Sequence, residues 1–201
     1  MGVPTIRMPS SPKTSPEVPA VFVLGMNPGQ KEDESGKPFV GPSGRMLRST
    51  YLGGEDSISS IASIYIGNAV RCWTPLDAQP KSRHYKTCWQ HTHQDLASIR
   101  AAHGDRTLRI LCLGVPASRI ALKELCGQKA LSFSTLLRSQ GTPSLCNGYS
   151  LYWTYHPAAV LRNANLIHAV ADHMQILHDS LNDRRPLPSS PSVVPARAPR
   201  S

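Results

Sequence analysis

Four short runs of β-favouring apolar residues, Val21–Leu24, Ile64–Gly67, Leu108–Leu113 and Leu151–Tyr155, recur along the chain with helical patterns between them. A strand that is apolar at successive residues is buried on both faces, and helices packed on either side of a parallel sheet bury it that way. The helical patterns lie at Ser43–Leu52, Ser82–Ala102, Ala117–Leu125 and Ala164–Leu181, with Ser43 and Ser82 placed as N-caps. The alternation predicts an α/β domain over residues 20–182, a three-layer α/β/α sandwich around a central four-stranded parallel sheet. A length of 201 residues suits one domain with a sizeable core.

The flanks read differently. Residues 1–19 carry Pro4, Pro9, Pro12, Pro16 and Pro19 among Ser, Thr and Lys, too little apolar surface to offset chain entropy, and are expected to be disordered. Residues 183–201, "DRRPLPSSPSVVPARAPRS", are expected to form a disordered basic tail that either brushes nucleic acid or only adds solubility. Lys and Arg exceed Asp and Glu by 22 to 13, a formal charge of +9 that favours polyanionic partners, although part of the surplus lies in the tail. No run approaches a membrane span and no apolar secretory stretch opens the chain, so the expectation is a soluble intracellular protein, cytoplasmic or nucleoid-associated, and monomeric. The five cysteines, an odd number, argue against a disulfide framework and for buried thiols or metal ligands.

Four groups leave the predicted strands at their carboxyl ends, the edge where open α/β sheets bind ligands. After the first strand, "GMNPG" places Gly25 and Gly29 for close backbone approach and stiffens the loop with Pro28. Asn27 there can present both a donor and an acceptor, or satisfy its own backbone in a turn. Phe39, in "GKPFVGPSGRML", lies in a Gly/Pro-rich loop beside a helix start, where it can stack on a planar base or plug the loop against the sheet. Asn68 ends the strand "SIYIG" and can pair with a carbonyl and an imino N–H of one base edge, or simply form a turn. His156 follows the last strand in "WTYHPAAVLRN", with Pro157 ending extended structure and Leu161 and Arg162 offering an apolar wedge beside a phosphate-seeking cation.

Those residues resemble the uracil-DNA glycosylase superfamily over roughly residues 20–182. "GMNPG" resembles its first motif as used by the mismatch-specific and single-strand-selective branches. "EDESGKPFVGPSG", "YIGNAVRC", "TYHPAAVLRN" and the third strand with its helix, "LCLGVPASRIALKEL", resemble the thermophile-type branch, family 4, to which the chain is closest overall. The resemblance implies a monofunctional DNA-repair glycosylase that flips uracil out of DNA and hydrolyses its N-glycosidic bond, leaving an abasic site. It implies that Asn27 positions the attacking water and that His156 donates to the uracil oxygen as negative charge grows there. Phe39 would stack on the ring and Asn68 read its edge, with Gly25, Met26 and Gly29 forming the loop against the substrate. Ser43, Leu161 and Arg162 would meet the DNA.

Two departures bear on chemistry. Family 4 usually carries Glu directly after the first Gly of the loop, where this chain has Met26; Asn27 can orient water but not act as a base, so slower chemistry is expected. Family 4 also holds an iron–sulfur cluster with four cysteines, two of them upstream of the first strand. This chain has no Cys before Cys72; Cys72 and Cys88 match the remaining pair, and two thiolates cannot complete the site, so no cofactor is expected. One relative in the superfamily captures DNA through a histidine in an inserted loop. Arg83-His84 has no such insertion around it, and His84 reads as first-turn residue of a solvated helix. The competing readings are a non-catalytic binder, or less plausibly a covalent one, of uracil-containing or damaged DNA, and a glycosylase for other deaminated bases.

Overall fold

The computed structural model describes residues 2–182 apart from 55–56, 76–77, 105–107, 129–130 and 140–142. The central strands are β2 (Ala20–Gly25), β3 (Ser63–Asn68), β4 (Leu108–Leu113) and β6 (Tyr149–Thr154), all within or close to the predicted runs. They lie in the order β3-β2-β4-β6 and pair in parallel throughout. Chain order therefore reverses direction between β2 and β4, and that switch opens a crevice at the carboxyl ends of these two strands.

Side chains alternate cleanly between two cores. Val21, Val23, Ile64, Ile66, Leu111 and Tyr152 face one layer, and Phe22, Leu24, Ile110, Cys112, Leu151 and Trp153 face the other. The first layer holds α2 (Pro42–Met46), which continues as a π-helical turn over Leu47–Tyr51, α3 (Ile58–Ile61), α7 (Pro157–Arg162) and α8 (Ile167–Asn182). The second holds α4 (Ser82–Ala102), α5 (Val115–Cys126) and α6 (Phe133–Arg138). A short α1 (Gln30–Ser35) leaves the first loop and buries no residue. No helix among the described residues is long and apolar enough to cross a membrane.

The sheet has six strands rather than four, because an antiparallel strand is added at each edge. β1 (Ile6–Arg7) pairs with β3, within the segment expected to be disordered. Residues 2–19 are held by backbone bonds together with two buried apolar side chains: Val3 N–H donates to Arg71 O and Met8 N–H to Ile64 O, each at 2.7 Å. Val3 and Met8 are buried beneath the strand, and Ser11 Oγ accepts the Ile64 N–H. Composition misses this because an edge strand is ordered by the sheet's unpaired N–H and C=O groups.

At the other edge, β5 (Ser144–Cys146) forms a hairpin with β6 through Asn147 and Gly148, at φ 49° and 80°. Asn-Gly is the residue pair that such a two-residue turn requires. A disulfide joins Cys126, at the end of α5, to Cys146 in β5, which corrects for these two the expectation of buried thiols or metal ligands. Cys72, Cys88 and Cys112 are free thiols, and burial pushes the Cys112 thiol well above its usual range. The basic tail, 183–201, lies outside the described residues.

Candidate active site

The crevice at the switch point encloses ≈ 740 Å³ and is lined by side chains from all four carboxyl-terminal loops. Asn27, Phe39, Asn68 and His156 all reach it, as do Met26, Gly29, Ser43 and Arg162.

Gly25 does a different job from the expected one. It is buried below the crevice, and a Cβ there would lie 2.2 Å from Asn68 Oδ1 and 2.8 Å from Phe39 Cζ. Its missing side chain thus lets Asn68 and Phe39 close on each other rather than admitting a ligand to the backbone. Asn68 is 4 % exposed, and its Oδ1 finds no donor among the described residues. A buried acceptor left this way costs about 1–3 kcal/mol.

Phe39 is both pocket wall and core residue. It is buried in the first core layer and sits at φ 56°, an unusual conformation for a residue with a side chain. Arg48, from the π-helical turn, donates to its carbonyl and to Gly44 O, and Gly44 packs so closely that a Cβ would collide with the Phe39 carbonyl. Glu32 holds the other side: its carboxylate accepts the N–H groups of Gly29 (3.2 Å), Val40 (2.9 Å) and Gly41 (3.1 Å). Sequence reasoning assigned Glu32 no role. It ties α1 to the Phe39 loop and consumes the Gly29 N–H, so that amide is not presented to a ligand. Ser43 lies at the second position of α2, whose N-cap is Gly41, and Ser82 likewise yields the cap of α4 to Lys81.

His156 caps α7: its Nδ1 accepts the Ala158 N–H at 3.1 Å. The proton of the neutral ring is therefore on Nε2, a tautomer inferred from that bond. Burial, and after it the charge of Arg162, lowers the pKa from 6.5 to about 4, so the ring is neutral near pH 7. Gly114, at φ 80°, brings its backbone close beneath the histidine, where a Cβ would stand 3.3 Å from His156 Cβ. Tyr51 Oη donates to Tyr155 O at 2.9 Å and anchors the chain just before it. The π-helical turn therefore supplies both Tyr51 and Arg48, one for each wall. Ring centroids of Phe39 and His156 are 5.9 Å apart.

Asn27 Nδ2 donates to Pro28 O at 3.1 Å and to Thr74 Oγ1 at 3.2 Å, which turns Oδ1 away from both as an acceptor with no donor among the described residues. Leu161 stands at the rim of α7, 50 % exposed, with exposed Arg162 beside it. His84 lies in the first turn of α4, where Nδ1 accepts the Lys81 N–H.

Residues 12–178 match the Uracil DNA glycosylase superfamily. The chain belongs to this superfamily. Among its curated relatives is a protein of Pyrobaculum aerophilum named Type-4 uracil-DNA glycosylase, 30 % identical over 152 residues that cover 73 % of this chain and 70 % of the relative. One of the same name from Thermotoga maritima is 33 % identical over 144 residues, covering 71 % and 67 %. A third, from Saccharolobus solfataricus, is 26 % identical over 168 residues, covering 82 % and 72 %.

The cysteines present do not fit the four-thiolate iron–sulfur cluster of the type-4 branch of this superfamily. Cys112 is enclosed in β4 and Cys126 and Cys146 are bonded to each other, which leaves Cys72 and Cys88. Among the described residues no three His, Cys, Asp or Glu side chains converge as a metal site. The region beside Cys72 is instead joined by a polar group: Asp95 of α4 accepts from Thr5 Oγ1 at 2.6 Å and pairs with Arg71.

Proposed function

We propose that the chain is a monofunctional uracil-DNA glycosylase acting in base excision repair, inside the cell and as a monomer without a cofactor. The observation that carries this reading is the presence in one crevice of Asn68, buried with an acceptor unmatched among the described residues, and of His156, neutral near pH 7.

A flipped uracil offers an imino N–H to Asn68 Oδ1, and the amide Nδ2 can donate to the adjacent carbonyl. Phe39 stacks on the ring. As the glycosidic bond breaks, negative charge moves onto the base, and His156 Nε2–H donates to the uracil oxygen that gathers it. A preorganised donor of this kind is worth roughly 3 kcal/mol of barrier. Asn27 Oδ1 accepts a hydrogen bond from the water and directs its lone pair at the sugar; as the water adds, its proton passes to the departing uracil anion or to solvent rather than to the amide. Glu32, already accepting three backbone N–H groups, serves the loop rather than the water. Leu161 fills the space vacated in the duplex and Arg162 meets phosphate. The relatives' shared name, Type-4 uracil-DNA glycosylase, supports the substrate.

The test is incubation with a uracil-containing oligonucleotide, assayed both for free uracil and for alkali-labile strands. Release of uracil that is abolished by Asn27→Ala and by His156→Ala is the expected result. Retention of the oligonucleotide without free uracil would leave a binding protein, and a panel including hypoxanthine, xanthine and G·T pairs sets the base range.

A further inference from the structure

We propose that a groove between α4 and α5 carries the DNA strand that flanks the flipped nucleotide, extending the binding surface beyond the crevice. The proposal rests on the functional reading above for the identity of the strand. The groove, ≈ 1170 Å³ in volume, opens from the crevice itself, since Gln79 and Pro116 line both.

Its charge is one-sided where it leaves the crevice. Arg83 and Lys86 project from the first turns of α4, and Arg119 faces them from α5. Arg83 and Lys86 are exposed, and none of the three has an acidic partner among the described residues. Arg119 donates through Nε to Leu131 O at 3.0 Å, which restrains its guanidinium. Further along, Lys123 pairs with Glu124 at 3.2 Å, and there the run of uncompensated positive charge ends. Tyr85, half-buried, is the ring open to a base between the cations; Trp89 also lines the groove but is 7 % exposed and packs in the second core layer. Cations beside aromatic faces are what sequence-tolerant binding of a single strand requires, phosphates meeting the first and bases the second.

The dimensions agree. From Ser82 to Gln94, the α4 stretch that lines the groove, the helix rises about 18 Å at 1.5 Å per residue. That is room for roughly five stacked nucleotides at 3.4 Å each. An extruded base pulls its neighbours out of regular stacking, so a strand leaving the crevice has a charged track to enter directly.

The experiment measures binding of a uracil-containing single strand to the full chain across a salt series, for the wild type, Lys86→Gln and Arg83→Gln/Lys86→Gln. Lys86 is exposed and unpaired, so the single variant should fold as the wild type does, which its thermal midpoint checks. The expected result is a salt slope lower by about 0.7 for each cation removed and an affinity down about tenfold in the double variant at low salt. Uracil release from an oligonucleotide too short to reach past the crevice should be unchanged. An unchanged slope and affinity, or loss of binding to polyglutamate alone, would overturn the proposal. If no variant nor the wild type releases uracil, the functional reading fails while the salt slopes still decide the groove.

Discussion

Thr74 Oγ1 accepts from the Asn27 amide at 3.2 Å while its own hydroxyl donates to Ala78 O at 2.6 Å. Because that proton is committed, Thr74 can only accept, and the amide must turn its nitrogen toward it. Thr74→Val keeps the shape and removes the acceptor, so it should lower kcat about tenfold, the worth of one neutral hydrogen bond, with KM unchanged. Thr74→Ser should restore most of the rate. Single-turnover excision against substrate concentration separates the two constants.

The depressed pKa of His156 makes a statement about stability as well as chemistry. Folded, the ring protonates only near pH 4; unfolded, near 6.5. Between those values the unfolded chain binds more protons, so stability should rise with pH across that window, by roughly 3 kcal/mol at most. Thermal melts of wild type and His156→Gln between pH 4 and 7 should differ in slope, the variant lacking this contribution. Replacing Arg162 by Gln removes the smaller cause and should move the histidine titration upward, read by NMR.

Gly25→Ala places a methyl group against Asn68 Oδ1 and Phe39 Cζ. The two side chains must separate, which should cost about 1–3 kcal/mol of stability by overpacking and raise KM for uracil-DNA. Equal KM for the variant and the wild type would refute the assigned packing role.

Leu161 is exposed, so Leu161→Ala should change the folding free energy by no more than about 0.5 kcal/mol. Excision from duplex DNA should fall by at least tenfold while excision from a single strand, which has no vacated stack to fill, stays near wild type.

The four parallel strands were legible because each is buried on both faces and so reads as an unbroken apolar run. Asn27, Asn68 and His156 were legible for a related reason, since polar groups stand where such runs stop, and Phe39 because an aromatic is out of place in a Gly/Pro-rich loop. The edge strand Ile6–Arg7 was hidden, since much of its order comes from backbone bonds and the two apolar side chains flanking it, Val3 and Met8, form no periodic run. The second edge hairpin is marked in the sequence by Asn147-Gly148, the pair its two-residue turn requires.

Local pattern by itself determined which segments are strands, which are long helices, and where the polar groups leave the sheet. Only the tertiary structure decided that Gly25 serves Asn68 and Phe39 rather than a ligand, that Glu32 gathers three amides from two loops, that Thr74 orients Asn27, and that Cys126 meets Cys146. The physical reason is range. A run of side chains reports its own burial through periodicity, whereas a hydrogen bond or a close approach between distant segments depends on the positions of both, which neither segment encodes alone.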